Sequence, residues 1–400
     1  MEVGRVVRTD ERAGLRRWVA VAAVSVGTFL LVTAEQLPVG LLTPVGSDLR
    51  VTDGVAGLMV TVPGVVAAVS ALLVPVLVGQ LDRRVLLGSL MALMTLANAL
   101  SALAPTYPVL LGSRVLVGIA IGGFWAVAGG LATRLVPEPD VPRATALIFG
   151  GVAAANVLGV PIGTLLGGFA GWRVAFGALG ALAAVVLVML FALLPRLVAD
   201  QPVRPRVLLA QLRDPGVSAG ILVTLLVVTG HFAAYTFVSP VLQDRAGIPA
   251  AFVGPLLLGF GAAGIVGNFV AGVAVARGVH RTVLAIVLAL AVVLALHALL
   301  DTGAAGGVAL LLLWGLAYGG VSVSLQSWMI AAAPRAVEAA TALWVAVFNL
   351  AIGLGALVGG LVVDGAALAG VLWLAAASFV LAAVVVRTGR RPVASTNRSA

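Results

Sequence analysis

The chain contains no cysteine, and all 24 of its basic residues are arginine. The first absence excludes disulfide frameworks and thiolate metal sites. The second excludes a Walker A loop, whose lysine contacts nucleotide phosphates, so energy for any work comes from outside the chain's own nucleotide chemistry. Charge is scarce at 10% of 400 residues, and aromatics reach only 6%. Three histidines with no HExxH spacing and no acid cluster give no case for a metal enzyme. No grouping of nucleophile, base and acid appears either, so the chain is not read as an enzyme and no cofactor is expected.

What remains is hydrocarbon. With 62% hydrophobic residues and a mean hydropathy of +1.17, the composition lies outside the soluble range and describes a polytopic membrane protein. A net charge of +9 suggests nucleic acid only if it forms a face, whereas here the arginines fall between apolar runs. Twelve helices are expected, at about 18–43, 54–78, 85–104, 109–134, 144–167, 173–195, 217–242, 250–276, 282–300, 304–333, 339–363 and 367–386. The basic residues 1–17 resemble the start of a signal peptide, but eleven further apolar runs follow.

Alternate loops test this map. One set holds Arg83, Arg84, Arg134, Arg143, Arg196, Arg204, Arg206, Arg213, Arg277, Arg281 and Arg335, and the C-terminus adds Arg387, Arg390, Arg391 and Arg398. The opposite set holds Arg50, Arg173 and Arg245. Arginine-rich short loops stay cytoplasmic, so both termini are expected inside. The interval 196–216, with three prolines, reads as a cytoplasmic linker between six-helix halves at 1–195 and 217–400. The halves look duplicated: the run Gly118 to Gly123 recurs as Gly315 to Gly320, 197 positions on, and Arg84 meets Arg281 and Pro137 meets Pro334 at the same offset. Parallel six-helix repeats are the architecture of the major facilitator fold.

Glu35 is the acid clearly inside a span, roughly 27 Å along a helix from Arg17 in a core about 30 Å thick. A carboxylate there is a functional site by default. Arg114, about 10 Å in from Tyr107, lies at a matching depth, and Glu35 is its expected partner. Either the two form a permanent lock between helices 1 and 4, or Glu35 binds a proton in one conformation and Arg114 in another. His231 stands nine residues before Pro240, as Glu35 stands nine before Pro44, and either shares proton coupling or bridges helices.

Trp125 falls on the Arg114 face of helix 4, and Trp328 falls near Trp314 around helix 10. With Tyr235, Tyr318 and Gln326 they offer aromatic faces and directed hydrogen bonds to a flat polar ligand, or else plain packing. Asn156 and Asn349, expected to be buried on helices 5 and 11, either bind substrate or bridge helices. The run containing Gly159, Pro161 and Gly163 permits close helix approach and a local bend.

Arg114 to Gly118 resembles the helix 4 motif of major facilitator drug:proton antiporters, and Gly150 to Gly168 resembles their helix 5 Gly-Pro motif. Glu35 to Pro44, Gly122 to Ala126, Arg134 to Pro137 and Gly230 to Phe237 are similar to bacterial purine ribonucleoside efflux pumps and their sugar-efflux relatives. Two departures stand out. The helix 2–3 loop lacks the expected Asp, with Asp82 shifted, which leaves Arg83 and Arg84 to hold helix ends through carbonyls. Gln36 replaces the usual Phe after the acid, making the proton site wetter. The resemblance implies a monomeric exporter in the bacterial inner membrane that exchanges protons for a small molecule, with the proton gradient in place of a cofactor. Nucleosides, drugs or sugars fit as substrate, and a non-transporting membrane sensor is the alternative of a different class.

Overall fold

A computed structural model describes residues 2–79, 81–128, 131–196, 210–300, 303–334, 336–365 and 367–388. Most of the expected linker, at 197–209, lies outside the described residues, as do Arg204, Arg206, Arg335, Arg390, Arg391, Arg398 and the side chains of Arg5, Arg8, Arg12 and Arg16. The described residues contain no strand, and twelve helical stretches are long and apolar enough to cross a membrane. Helices are the economical solution because hydrocarbon offers no partner to a free amide or carbonyl.

The spans are α1 (Glu2–Leu49), α2 (Leu58–Val78), α3 (Arg83–Leu103), α4 (Tyr107–Ala128), α5, α6 (Trp172–Leu193), α7 (Pro215–Tyr235), α8 (Ala250–Val275), α9 (Val279–Leu299), α10, α11 (Val337–Gly365) and α12 (Leu368–Thr388). α5 comprises Val141–Ala154, a π-turn Ala155–Gly159 and Val160–Ala170. α10 comprises Gly303–Gly319 and Val321–Ala332. A single turn, Asp53–Ala56, precedes α2.

Three boundaries differ from expectation. α1 does not close near Pro44 but runs to Leu49 with Pro38 and Pro44 inside it, because a proline removes one helical bond that neighbours can replace. α7 stops at Tyr235, the chain restarts at Val238–Pro240, and a π-turn Val241–Arg245 follows. Pro240 cannot donate to the Thr236 carbonyl, which weakens the helix at that point. α4 is described as far as Ala128, and Ala132–Leu135 is helical beyond residues 129–130, which lie outside the described residues. α10 breaks at the Gly319–Gly320 pair.

The repeat seen in the sequence reappears as packing. α2 packs on α4, α3 on α6 and α1 on α5; α8 packs on α10, α9 on α12 and α7 on α11. A Cβ on Gly118 would stand 2.8 Å from the Pro63 carbonyl oxygen of α2, and one on Gly315 would collide with the Phe260 carbonyl of α8. Gly122 bears on the Ala67 carbonyl, and Gly319 on that of Gly264. Each partner is displaced by the same 197 positions, so both glycines and the backbones they touch are duplicated.

The two sets of helices meet through α2 against α11 and α5 against α8. Their close approaches cluster at the end bearing Asp53 and Asp364, called distal here: Gly54 on Gly360, Gly57 on Phe237, Gly64 on Gly353 and Gly254 on Leu165. Towards the opposite, proximal end α2 becomes exposed, and Leu77 reaches 77%. A cavity of about 440 Å³ opens at that end beside Trp18, Asp140, Arg143 and Leu147.

Gly319→Val is expected to destabilise the protein by about 1–3 kcal/mol, because the new side chain must push apart two backbones. Gly272→Val, where nothing lies within 4 Å, is expected to change stability by less than about 0.5 kcal/mol. Thermal unfolding in detergent compares the two.

Candidate functional site

Arg114 is fully buried in α4, and Glu35 in α1 is 5% exposed. The expected ion pair between them is not formed. Arg114 Nη2 donates instead to the Ala34 carbonyl at 2.6 Å, and Nε donates to the Met59 carbonyl at 3.2 Å. These acceptors share a cause. Ala34 lies four residues before Pro38, and Met59 lies four before Pro63, so neither carbonyl has an amide donor from its own helix. The guanidinium replaces both missing hydrogen bonds and ties α1 and α2 to α4. Its carbon also sits 5.7 Å from the Phe176 ring centroid.

One residue from the Ala34 anchor, Glu35 Oε1 is buried with no hydrogen-bond partner, and Arg114 Nη1 has none either. The Arg114 charge still acts on the carboxylate through space. α1 around the acid is seated on α5: Gly159 faces Thr33, and Gly163 faces Leu37. Pro161, buried just past the π-turn, deprives the Val157 carbonyl of its donor, and the wider turn accommodates that loss. Asn156, expected to be buried, is exposed on this π-turn, where its Oδ1 accepts from Gln36 Nε2 at 2.9 Å.

Across the seam, α7, α8 and α10 build an aromatic cluster. Trp314 Nε1 donates to His231 Nδ1 at 3.1 Å. The acceptor role fixes the imidazole as neutral with its proton on Nε2, so of the two roles open to His231 the structure displays the helix bridge. Tyr318 stacks on His231 with centroids 3.3 Å apart, and Tyr235 lies on it at 4.9 Å. Trp314 stands edge-on at 5.5 Å.

Other expected site residues lie elsewhere. Trp328 is fully buried, its Nε1 donates to the Gly216 carbonyl at 3.0 Å, and its ring lies 4.0 Å from that of His280. It lies fourteen residues beyond Trp314, about 21 Å along a helix at 1.5 Å per residue, so it does not join the cluster. Trp125 stacks on Phe149 at 6.0 Å, nearer the proximal end. Asn349 is buried and donates to the Val345 carbonyl of its own helix at 2.9 Å. Gln326 is half-buried on the second segment of α10. Arg84 donates to the Phe191 carbonyl in the last turn of α6, and Asp82 caps α3 by accepting from the Arg84 amide at 2.9 Å. Arg83 is half-buried beside them.

Asp364, not singled out in the sequence, joins the halves distally. Its Oδ2 accepts from Thr52 Oγ1 at 2.7 Å, and its Oδ1 accepts from the Gly54 amide at 3.0 Å. The readable signal was an acid at the end of an apolar span, where both carboxylate oxygens need donors. Within the first half, Asp48 accepts from Arg173 Nη1 at 2.5 Å and from Trp172 Nε1 at 3.1 Å.

A family model described as the Major Facilitator Superfamily matches residues 24–339. A Pseudomonas aeruginosa protein named transcription regulatory protein OpdE is 38% identical over 92% of both chains. The purine ribonucleoside efflux pump NepI of Salmonella paratyphi A is 34% identical over 92% of this chain and 93% of its own. A variant of the nucleoside transporter NupG shares the fold with a TM-score of 0.75 at 15% identity, covering 92% of this chain and 98% of that one. An inward-facing bacterial homologue of the human lysosomal transporter Spinster has a TM-score of 0.67 at 16% identity, covering 93% and 95%.

Arg114→Met leaves two carbonyls unsatisfied and is expected to destabilise the protein by about 3 kcal/mol. Adding Pro38→Ala returns a helical donor to Ala34, so the double variant should recover about 1 kcal/mol relative to the sum of the single changes. Denaturation of the four proteins measures this coupling, and strict additivity would contradict the role of the proline.

Proposed function

The chain belongs to the major facilitator superfamily, and on that premise we propose that it is a proton-coupled exporter of purine ribonucleosides or their analogues in the bacterial cytoplasmic membrane. It is a multi-pass membrane transporter, not an enzyme. The observation that carries the coupling is Glu35: a buried acid with an unpartnered oxygen, one residue from the carbonyl that anchors Arg114.

Placing the arginine-rich loops in the cytoplasm makes the distal end external. The contact of Asp364 with Thr52 and Gly54 then closes the outer side. In the proposed cycle, residues 1–195 rock against 217–400. Glu35 takes a proton while facing outward and releases it inward, where Arg114 gives the bare carboxylate a neighbouring counter-charge. The half-buried Tyr318 presents its ring to the substrate, the proton gradient supplies the energy, and a monomer suffices.

The Pseudomonas relative's name favours a second reading, in which the same architecture senses a solute and alters gene expression without moving it. Purified protein in liposomes with an inward proton gradient, offered inosine, chloramphenicol and arabinose side by side, separates the readings. Gradient-driven inosine movement is expected in the wild type and its loss in Glu35→Gln, with insertion intact. Chloramphenicol or arabinose moving instead would mark a drug or sugar exporter, and no movement would favour the sensor. Undiminished coupling in Glu35→Gln would refute the mechanism.

A further inference from the structure

Gln36 follows the buried acid, and its bond to Asn156 is the side-chain link between α1 and α5 nearest to that acid. Asn156 stands on the π-turn Ala155–Gly159, a geometry that interrupts the regular ridges of a helix and concentrates at functional sites. The same turn touches the opposite half: a Cβ on Gly261 of α8 would lie 2.7 Å from the Asn156 carbonyl oxygen. The pair therefore sits at the seam between the halves. Packing does not bury it there, since Asn156 is exposed and Gln36 is half-buried.

Each carboxamide has an amino group and a carbonyl oxygen. The bond from Gln36 Nε2 to Asn156 Oδ1 leaves the Gln36 carbonyl oxygen and the Asn156 amino group to meet a ligand. That is the complement of a flat heterocycle whose edge carries an adjacent donor and acceptor, as at positions 1 and 6 of a purine. A sugar lacks the flat ring, and an apolar aromatic drug lacks the edge. Tyr318, half-buried and stacked on His231, supplies an aromatic ring on the other side of the seam.

We propose that the Gln36–Asn156 pair reads the donor–acceptor edge of the transported base, so that these two residues set the specificity of export. The inference rests on the nucleoside-export reading. A pair that merely bridged α1 and α5 would be indifferent to what stands at position 6 of the ring.

The test compares gradient-driven transport of inosine with that of purine riboside, which keeps ring and ribose but has hydrogen at position 6 and no N1–H donor. The wild type should favour inosine by about tenfold or more, as expected when a site built around paired hydrogen bonds loses them. In Gln36→Leu and Asn156→Leu the ratio should fall to within about twofold. Equal transport of the two by the wild type overturns the inference whatever the variants do, as does an undiminished ratio in both variants; in either case the export reading stands. Failure of the wild type to move either nucleoside overturns both.

Discussion

A guanidinium buried in a membrane protein must find acceptors or neutralise itself, and Arg114 finds them in the backbone. Pro38 and Pro63 each withhold an amide from the carbonyl four residues earlier, and those two carbonyls receive the guanidinium. One side chain thereby braces three helices at the points where their own hydrogen bonding is interrupted. The arrangement also determines what Glu35 is free to do. In a closed ion pair the acid would serve mainly to offset the desolvation of its partner. With the arginine already satisfied, the carboxylate keeps an unclaimed oxygen beside a fixed positive charge.

The same logic extends to α5. Pro161 frees another carbonyl, the helix widens into a π-turn, and Asn156 emerges beside Gln36 rather than inside the packing. Around this polar strip the glycines bring backbones together, first within each half and then across the seam at the distal end. There Asp364 completes the closure with a hydroxyl and an amide of the opposite half. Contact between the halves at the distal end is what a rocking motion would release in the proposed cycle.

The spans and the duplication were legible because lipid imposes long apolar runs and because glycines required by close backbone contact recur with those contacts. Pro63 and Phe260, or Ala67 and Gly264, are related by the offset already visible between Gly118 and Gly315. The partner of Arg114 was misread because charge was matched only with charge. The donorless carbonyls were legible as well, at positions four before each proline. Helical periodicity placed Trp328 on the side of helix 10 that carries Trp314, but fourteen residues at 1.5 Å each set the two about 21 Å apart along it. Asp364 was missed because an acid at a span boundary looks like an ordinary solvated end until its partners from the other half are seen.

The account depends on Glu35 exchanging its proton as substrate comes and goes. The most direct measurement is proton release from purified protein in weakly buffered detergent when a saturating nucleoside is added. Release by the wild type and none by a Glu35→Gln variant that still binds the nucleoside is the predicted result. Equal release by both proteins, or none by a wild type shown to bind, would contradict it.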